Sequence, residues 1–230
     1  MDFLEGEILL LNKPLYWTSF DLVNKIRFKL RYFLKVKKIK VGHAGTLDPL
    51  ASGLMIVCTG KATKKIDQLT GLDKEYIATI KLGSTTPTYD LESDIDQTFP
   101  TSHITREFLD QQLERFRGEI DQLPPIFSAI KVEGKKAYDL ARKGHEVELK
   151  SRKITIHEIE IVAFNLPDLT LRINCSKGTY IRSLANDIGK ALNSGGHLIA
   201  LERTQIGEFT LDDAMTLENF EKILQSIVTN

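Results

Sequence analysis

The sequence predicts a mixed α/β fold of the α+β class, built around one core. Segments with apolar residues at helical spacing are interspersed with short apolar runs typical of strands, and the two kinds do not alternate regularly. A chain of 230 residues with 42% hydrophobic and 27% charged residues has the composition of a globular domain. We therefore expect one main domain, with a surface insertion where the texture of the sequence changes.

In the first part of the chain, residues 7–11 predict a short strand, and Ser19 is a candidate N-cap for a helix over residues 20–34. Leu22, Val23, Ile26, Leu30, Phe33 and Leu34 form the apolar stripe of that helix. Residues 54–59 then form a buried strand, and residues 60–69 a helix.

Residues 74–83 alternate between apolar and polar positions, which predicts a half-buried strand with Tyr76 pointing inward. Residues 84–102 contain two prolines and clustered acids, so we expect a loop. An amphipathic helix over residues 105–117 follows, and residues 121–152 form a basic surface excursion with a short helix near residues 136–143. The remaining predicted elements are strands over 154–161, 162–164 and 169–175, a helix over 181–192, a strand over 197–207 and a helix over 217–228.

Composition and termini exclude several classes. The acidic N-terminus lacks the basic region and long apolar region of a signal peptide, and no run of 18 apolar residues occurs. We therefore expect a cytoplasmic protein that neither spans nor binds a membrane. Cys58 and Cys175 each lie in an apolar run, far apart, which indicates buried free thiols.

The distribution of charge is more informative than its total. The formal net charge is zero, which by itself argues against a nucleic-acid partner. Between Leu22 and Leu47, however, there are eight basic residues and no acidic one. This segment is either a solvated helix face or a surface that binds phosphates. Acidic residues gather elsewhere, at Asp90, Glu92, Asp94, Asp96, Asp212, Asp213, Glu218 and Glu221.

The segment from Val41 to Val57 places one carboxylate, Asp48, in a turn punctuated by glycines that leads into a buried strand. Pro49 biases Asp48 towards an extended backbone, so the turn is stiff. Such a turn is either ordinary Asp-Pro turn chemistry or a rigid support for a reactive group.

Longer motifs favour the second interpretation. The string GHAGTLDPLASGLM resembles the catalytic motif of TruB-type tRNA pseudouridine synthases of bacteria. Further blocks of that family stand in family order over roughly residues 5–210. They are Lys13-Pro14 with Thr18-Ser19, Lys74-Glu75-Tyr76, Pro124-Pro125 with Ser128-Ala129-Ile130-Lys131, Lys177-Gly178-Thr179-Tyr180-Ile181-Arg182, and Leu201-Glu202-Arg203-Thr204.

The resemblance implies a fold with a mostly antiparallel central sheet flanked by helices, with an active cleft across it. It divides the chain into a catalytic domain over residues 1–210, whose residues 121–152 form a thumb-like insertion that clamps RNA, and a C-terminal helix over 211–230 in place of a PUA domain. It also implies conversion of uridine to pseudouridine at position 55 in the T loop of tRNA. A monomer that needs neither cofactor nor metal is expected.

The resemblance assigns roles to individual residues. Asp48 is the catalytic carboxylate, kept ionised by Arg182. Tyr76 is also catalytic: it lies against the target uracil and takes part in removing the C5 proton, directly or through water. Tyr180 and Leu201 line the base pocket, with Lys13 as a further substrate contact, and His43 takes the space left by the flipped nucleotide. The residues expected to contact the RNA backbone are Lys29, Lys37, Lys38, Lys40, Lys131 and Arg142.

The first block departs from the family pattern. Relatives normally have a glycine between the Lys-Pro and Thr-Ser pairs, whereas Tyr16-Trp17 fill this loop here. Two other functions are compatible with the same fold or the same carboxylate. A non-catalytic tRNA-binding or folding module would keep the fold, and a nucleoside hydrolase would use the same carboxylate but release free uracil.

Overall fold

A computed structural model describes residues 1–127, 131–132, 135–136 and 149–229. The chain divides into two compact units, Met1–Tyr76 with Leu201–Asn230, and Ile77–Ala200. The mixed α/β class is confirmed, and most of the strand pairings are antiparallel. Within the described residues, no helix has both the length and the apolar character that a transmembrane helix needs.

The first unit is built around one central strand. Within residues 1–73 of this unit, the strands are β1 (Ile8–Lys13), β2 (Val41–Ala44) and β3 (Ala51–Thr59). The helices there are α1 (Ser19–Phe33) and α2 (Ile66–Thr70), the latter preceded by a 3-10 turn, Gly60–Lys65. β3 pairs with β1 in antiparallel register from Ile8↔Cys58 to Lys13↔Gly53. β2 is antiparallel to β3. All residues of β3 from Leu54 to Thr59 are buried, as the apolar run predicts.

The later strands of the chain are β4 (Lys74–Leu82), β5 (Ser84–Thr85), β6 (Gln97–Thr98), β7 (Gly118–Gln122), β8 (Lys131–Val132), β9 (Lys135–Lys136), β10 (Arg152–Asn165), β11 (Asp168–Cys175), β12 (Gly196–Ile206) and β13 (Phe209–Thr210). The later helices are α3 (Arg106–Leu113), α4 (Ile181–Ala191) and α5 (Leu217–Thr229), with a 3-10 turn, Glu114–Phe116, after α3. The predicted strand over 162–164 is therefore not separate, because β10 continues through it. The predicted short helix near residues 136–143 falls mostly outside the described residues.

In the first unit, β12 runs parallel to β3, with Leu201 opposite Ala51 and Arg203 opposite Gly53. Gly53 adopts a φ of +104°, and a Cβ built there would lie 2.4 Å from the carbonyl oxygen of Arg203. Only glycine allows this approach, so Gly53 lets β12 sit beside the beginning of β3.

In the second unit, the strand order is β4-β11-β10-β7. β10 is antiparallel to β11 and to β7, and it pairs Arg152 with Gln122. Helix α4 buries Ile181, Leu184 and Ile188, which is the predicted apolar stripe. Both cysteines are buried thiols that form no disulfide, as predicted.

Helix α1 begins one residue earlier than predicted. Its N-cap is Thr18, whose side chain accepts a hydrogen bond from the Asp21 amide, and Asp21 completes a capping box. The prediction that Ser19 is the N-cap is therefore wrong. Ser19 is buried in the first turn instead, where its hydroxyl is available to another part of the chain.

Candidate active site

Asp48 lies in the turn between β2 and β3, and the residue is partly buried. The backbone of this turn is held on its C-terminal side by two hydrogen bonds. The Ala51 amide donates to the Asp48 carbonyl oxygen at 3.1 Å, and the Tyr16 amide donates to the Pro49 carbonyl oxygen at 2.7 Å. Asp48, which is partly buried, is therefore presented on a backbone held by hydrogen bonds.

The N-terminal side of the turn is held by the Ser19 hydroxyl. Oγ of Ser19 lies 2.9 Å from the Leu47 carbonyl oxygen and 2.8 Å from the Leu47 amide nitrogen. One hydroxyl thus satisfies both backbone groups of the buried residue that precedes Asp48. The two partners are 28 residues apart in sequence, so helix α1 directly determines where the turn lies.

Arg203 supports the same turn from β12, and sequence reasoning missed this role. Its guanidinium is almost fully buried. Nε donates to the Leu54 carbonyl oxygen at 2.8 Å and Nη2 to that of Gly45 at 3.1 Å, with Nη1 3.5 Å from the Thr46 carbonyl oxygen. The family block at residues 201–204 was the only available signal, because such a contact has no local pattern.

Lys13 is also fully buried beside this turn. Its ammonium donates to the carbonyl oxygens of Pro14 at 3.0 Å and Trp17 at 2.7 Å. Burial lowers the pKa of Lys13 from 10.5 to about 8, although the negative charge of Asp48 opposes this shift; the positive charge of Arg203 adds to it. Lys13 therefore stabilises the loop that follows β1, and its predicted contact with substrate remains a prediction.

Tyr16 accounts for the departure from the family pattern in the first block. It adopts a φ of +66°, in the left-handed region that glycine favours, and its side chain is 78% exposed. The loop thus has the conformation that a glycine would supply, with a tyrosine in its place. The same residue donates the amide hydrogen bond to Pro49, so this conformation is tied to the Asp48 turn.

Three other predicted site residues belong to the same unit as Asp48. His43 is half-buried on β2, and burial together with the charge of Arg203 lowers its pKa, so its ring is neutral near pH 7. Tyr76 is buried on β4, as the alternation predicts. Leu201 is half-buried on β12, opposite Ala51.

Arg182 belongs to the second unit, in the first turn of α4, and is buried. Nη1 lies 3.4 Å from Oδ2 of Asp90, and the guanidinium also donates to the carbonyl oxygens of Thr88 at 3.3 Å and Phe127 at 3.1 Å. Oδ1 of Asp90 accepts from the Thr88 hydroxyl at 2.6 Å and the Glu92 amide at 3.0 Å.

The sequence places Asp90 in an acidic surface cluster, whereas the structure buries it as an ion-pair partner of Arg182. The pairing of Arg182 with Asp48 remains a prediction from the resemblance.

Tyr180 is held from two sides in the second unit. Gln122 donates to the Tyr180 carbonyl oxygen at 3.0 Å and accepts from its amide at 2.8 Å. The guanidinium carbon of Arg152 lies 4.3 Å from the centre of the Tyr180 ring, a cation–π contact. Both the backbone and the ring of Tyr180 are therefore preorganised.

The basic segment after Leu22 forms a surface with two cationic cavities in the first unit. One, of about 410 Å³, is lined by Arg27, Arg31, Lys37, Lys38, Ile39 and Lys40. The other, of about 270 Å³, includes Lys38, Lys40, Lys61 and Lys64. Lys37, Lys38 and Lys40 thus lie together, and their contact with RNA phosphates remains a prediction.

Other residues predicted to bind the RNA backbone have different outcomes. The ammonium of Lys29 forms a salt bridge with Glu221 of α5 at 3.0 Å and is partly buried, so its charge is already matched. Arg142 lies outside the described residues, and so does the side chain of Lys131. In the described part of the chain, no group of three or more His, Cys, Asp or Glu side chains is arranged to hold a metal ion.

Family models match the chain over two adjoining ranges. Residues 31–181 match the TruB family pseudouridylate synthase N-terminal domain, and residues 182–228 match the tRNA pseudouridylate synthase B C-terminal domain. The chain is 64% identical to a tRNA pseudouridine synthase B of Parabacteroides distasonis, over 99% of this chain and 97% of that protein. It is 55% identical to one of Flavobacterium johnsoniae, over 97% and 98%.

Two chains of solved structures have a fold similar to that of this chain. A chain in a crystal structure of a Cbf5-Nop10-Gar1 complex is 30% identical, with a TM-score of 0.72 over 96% of this chain and 54% of that chain. A chain in an H/ACA RNP bound to a substrate RNA containing 2'-deoxyuridine is 28% identical, with a TM-score of 0.69 over 96% and 53%. This chain therefore spans about half the length of those two chains.

Proposed function

Because this chain belongs to the TruB family of pseudouridylate synthases, we propose that it converts uridine to pseudouridine in tRNA, at position 55 of the T loop. The reaction breaks the bond between N1 and C1′, turns the uracil and joins C5 to C1′. The C5 proton is lost and N1 gains a proton, so the product has the mass of the substrate. We expect no cofactor.

The observation that carries the proposal is the support of Asp48. Its neighbours are held by Ser19, Tyr16 and Arg203, and Asp48 itself is only partly buried. Cleavage of a glycosidic bond develops positive charge at C1′, and a fixed carboxylate stabilises it by charge or by covalent capture. A rigid turn suits this role because a preorganised charge need not be reoriented during the reaction.

A uridine within a folded RNA loop must leave its stack to reach the carboxylate. Extrusion costs a few kcal/mol, which stacking and hydrogen bonds in the pocket offset. We assign Tyr76 and Leu201, which belong to the same unit as Asp48, to the base pocket. We assign the neutral ring of His43 to the space that the flipped nucleotide leaves in the RNA. Tyr180, held by Gln122 and Arg152, is assigned to the base pocket as well.

Arg182 is proposed to keep the Asp48 carboxylate ionised when the base excludes water. A neighbouring guanidinium lowers a carboxylate pKa by about 1 to 3 units, which opposes the effect of desolvation. The ion pair with Asp90 fixes the Arg182 guanidinium before substrate arrives, and it also offsets part of the guanidinium charge. Removing the Arg182 charge should therefore shift the acid limb of the rate profile to higher pH.

The RNA backbone is proposed to meet the cationic cavity lined by Arg31, Lys37, Lys38 and Lys40. Lysine and arginine side chains that neutralise phosphates release counterions, so binding should weaken as salt increases. Lys37→Ala should lower the slope of log K against log salt by about one unit. Lys29→Ala should leave the slope unchanged, because Lys29 is already paired with Glu221.

The proposal is tested with purified protein and one unmodified tRNA transcript. Pseudouridine mapped by position should appear at position 55, without release of free uracil. Unchanged tRNA would favour the non-catalytic RNA-binding module, and free uracil would favour the nucleoside hydrolase. Pseudouridine at another position would retain the chemistry but overturn the assignment of the site.

A further inference from the structure

Helix α1 exposes three large aromatic rings to solvent, of which Phe20, 65% exposed, lies in the first turn and the other two lie in the C-terminal half. Phe28 is 63% exposed and Tyr32 is 70% exposed. The two are one helical turn apart and therefore neighbours on the helix surface. The opposite face of α1, with Leu22, Ile26 and Leu30, is buried in the core, so the exposed rings lie outside the core.

The Tyr32 ring is held in a defined orientation. Phe33, which is half-buried, contacts it edge to face, with ring centres 5.3 Å apart and planes at 84°. A ring that already packs against a neighbour loses less conformational entropy when a partner binds it. We call Phe28 and Tyr32 the ring pair.

The charge around the ring pair indicates what kind of partner binds there. Arg31 lies between the two rings in sequence, and Arg27 and Arg31 both line the cationic cavity. No acidic residue occurs from Leu22 to Leu47. Apolar surface within such a field suits a partner that carries both negative charge and flat apolar faces. Unpaired nucleotides combine the two, whereas the bases of a duplex are already stacked.

We propose that the ring pair binds unpaired nucleotides of RNA by stacking, while the neighbouring cavity takes their phosphates. The inference rests on the proposed function in that the bound RNA is the substrate tRNA. The nucleotides that the ring pair binds are other nucleotides of the tRNA than the uridine that reacts. It adds a stacking contribution, independent of salt, to the electrostatic contribution of the lysines.

The test uses fluorescence anisotropy with labelled oligoadenylate of about 12 nucleotides, a length within the range that single-strand binding sites cover. The double variant Phe28→Ala with Tyr32→Ala should bind at least about tenfold more weakly, because stacking contributes about 1–3 kcal/mol per base. The slope of log K against log salt should not change, whereas Arg31→Ala should lower it by about one. Val162→Ala, at an exposed apolar position on β10, is the matched control and should bind as the wild type does.

A second double variant, Phe28→Leu with Tyr32→Leu, keeps apolar area but removes the rings. It should bind as weakly as the alanine variant. Wild-type binding by either double variant would overturn the inference. So would tighter binding of a duplex RNA than of the single strand, binding to anionic vesicles lost in the alanine variant, or a dimer that this variant dissociates.

The proposed function is checked in the same preparations. If the wild type forms pseudouridine and the ring variants bind oligoadenylate normally, only this inference fails. If the wild type forms no pseudouridine in tRNA, the proposed function fails whatever the result for oligoadenylate.

Discussion

The hydroxyl of Ser19 holds both backbone groups of Leu47, at 2.9 Å from its carbonyl oxygen and 2.8 Å from its amide nitrogen. Ser19 lies in the first turn of α1, and Leu47 directly precedes Asp48. The link joins the helix that carries the basic surface to the turn that carries the carboxylate. It supplies a test that separates positioning of Asp48 from general stability.

We expect Ser19→Ala to lower both stability and turnover. Two buried backbone groups lose their partner, which costs about 1–3 kcal/mol in the free energy of unfolding. Displacement of Asp48 should lower kcat by about tenfold to a hundredfold, with little change in the Kd for tRNA. Denaturant unfolding and single-turnover kinetics measure the two effects.

Thr105→Ala is the matched control for Ser19→Ala. Thr105 caps α3 by accepting from the Phe108 amide, and its loss should cost about 1 kcal/mol. The control should keep the kcat of the wild type. If Ser19→Ala also keeps it, the hydroxyl does not position Asp48.

Lys13 predicts a pH dependence of stability. Its pKa of about 8 in the folded protein lies below the ordinary value of 10.5, because the ammonium is buried. Between these two values the unfolded chain binds more protons than the folded protein, so stability rises with pH. Relative to Lys13→Met, the wild type should gain up to about 1.4 kcal/mol per pH unit in this window.

The measurement is the free energy of unfolding of both proteins from pH 7 to pH 10. The difference between them is the quantity of interest, because other groups titrate in both. A difference that stays constant with pH would show that Lys13 is not a buried ammonium with a lowered pKa.

The ion pair of Arg182 with Asp90 predicts a large cost for removing one partner. Asp90→Asn leaves a buried guanidinium facing an amide, and we expect a loss of about 3–5 kcal/mol in stability together with lower turnover. Asp168→Asn removes one partner of the exposed pair with Lys81 and should cost at most about 1 kcal/mol. Equal losses in the two variants would contradict the buried ion pair.

Tyr16 predicts a difference between two substitutions that both remove its ring. Tyr16→Ala keeps a side chain in the left-handed conformation, whereas Tyr16→Gly relieves it. The glycine variant should therefore be more stable than the alanine variant by about 1 kcal/mol. Thermal unfolding compares them directly, and an alanine variant as stable as the glycine variant would show that the conformation carries no strain.

Several elements could be predicted from the sequence because their burial is periodic. Helices α1 and α4 and strand β4 each bury one apolar face, which gives the sequence its periodic pattern. Strand β3 buries both faces, which gives a continuous apolar run. Strand β2 could not be predicted in this way, since Gly42 and His43 interrupt the alternation of apolar and polar residues. Its pairing with β3 holds the backbone in a strand conformation instead.

The supports of the candidate site were harder to predict than Asp48 itself. A buried arginine such as Arg203 is stabilised by carbonyl groups from distant segments, and Asp90 has the local sequence of a surface acid. Ser19 resembles a helix cap because the hydroxyl chemistry is the same in both roles. Tertiary contacts decide these three cases, and no local pattern carries them.

The central claim is that the carboxylate of Asp48 carries out the isomerisation, and Asp48→Asn tests it most directly. Asp67→Asn, at an exposed position on α2, is the matched control. We predict that Asp48→Asn keeps the fold and binds tRNA but forms no pseudouridine at position 55, while the control keeps full activity. Pseudouridine formation by Asp48→Asn at the rate of the control would contradict the account.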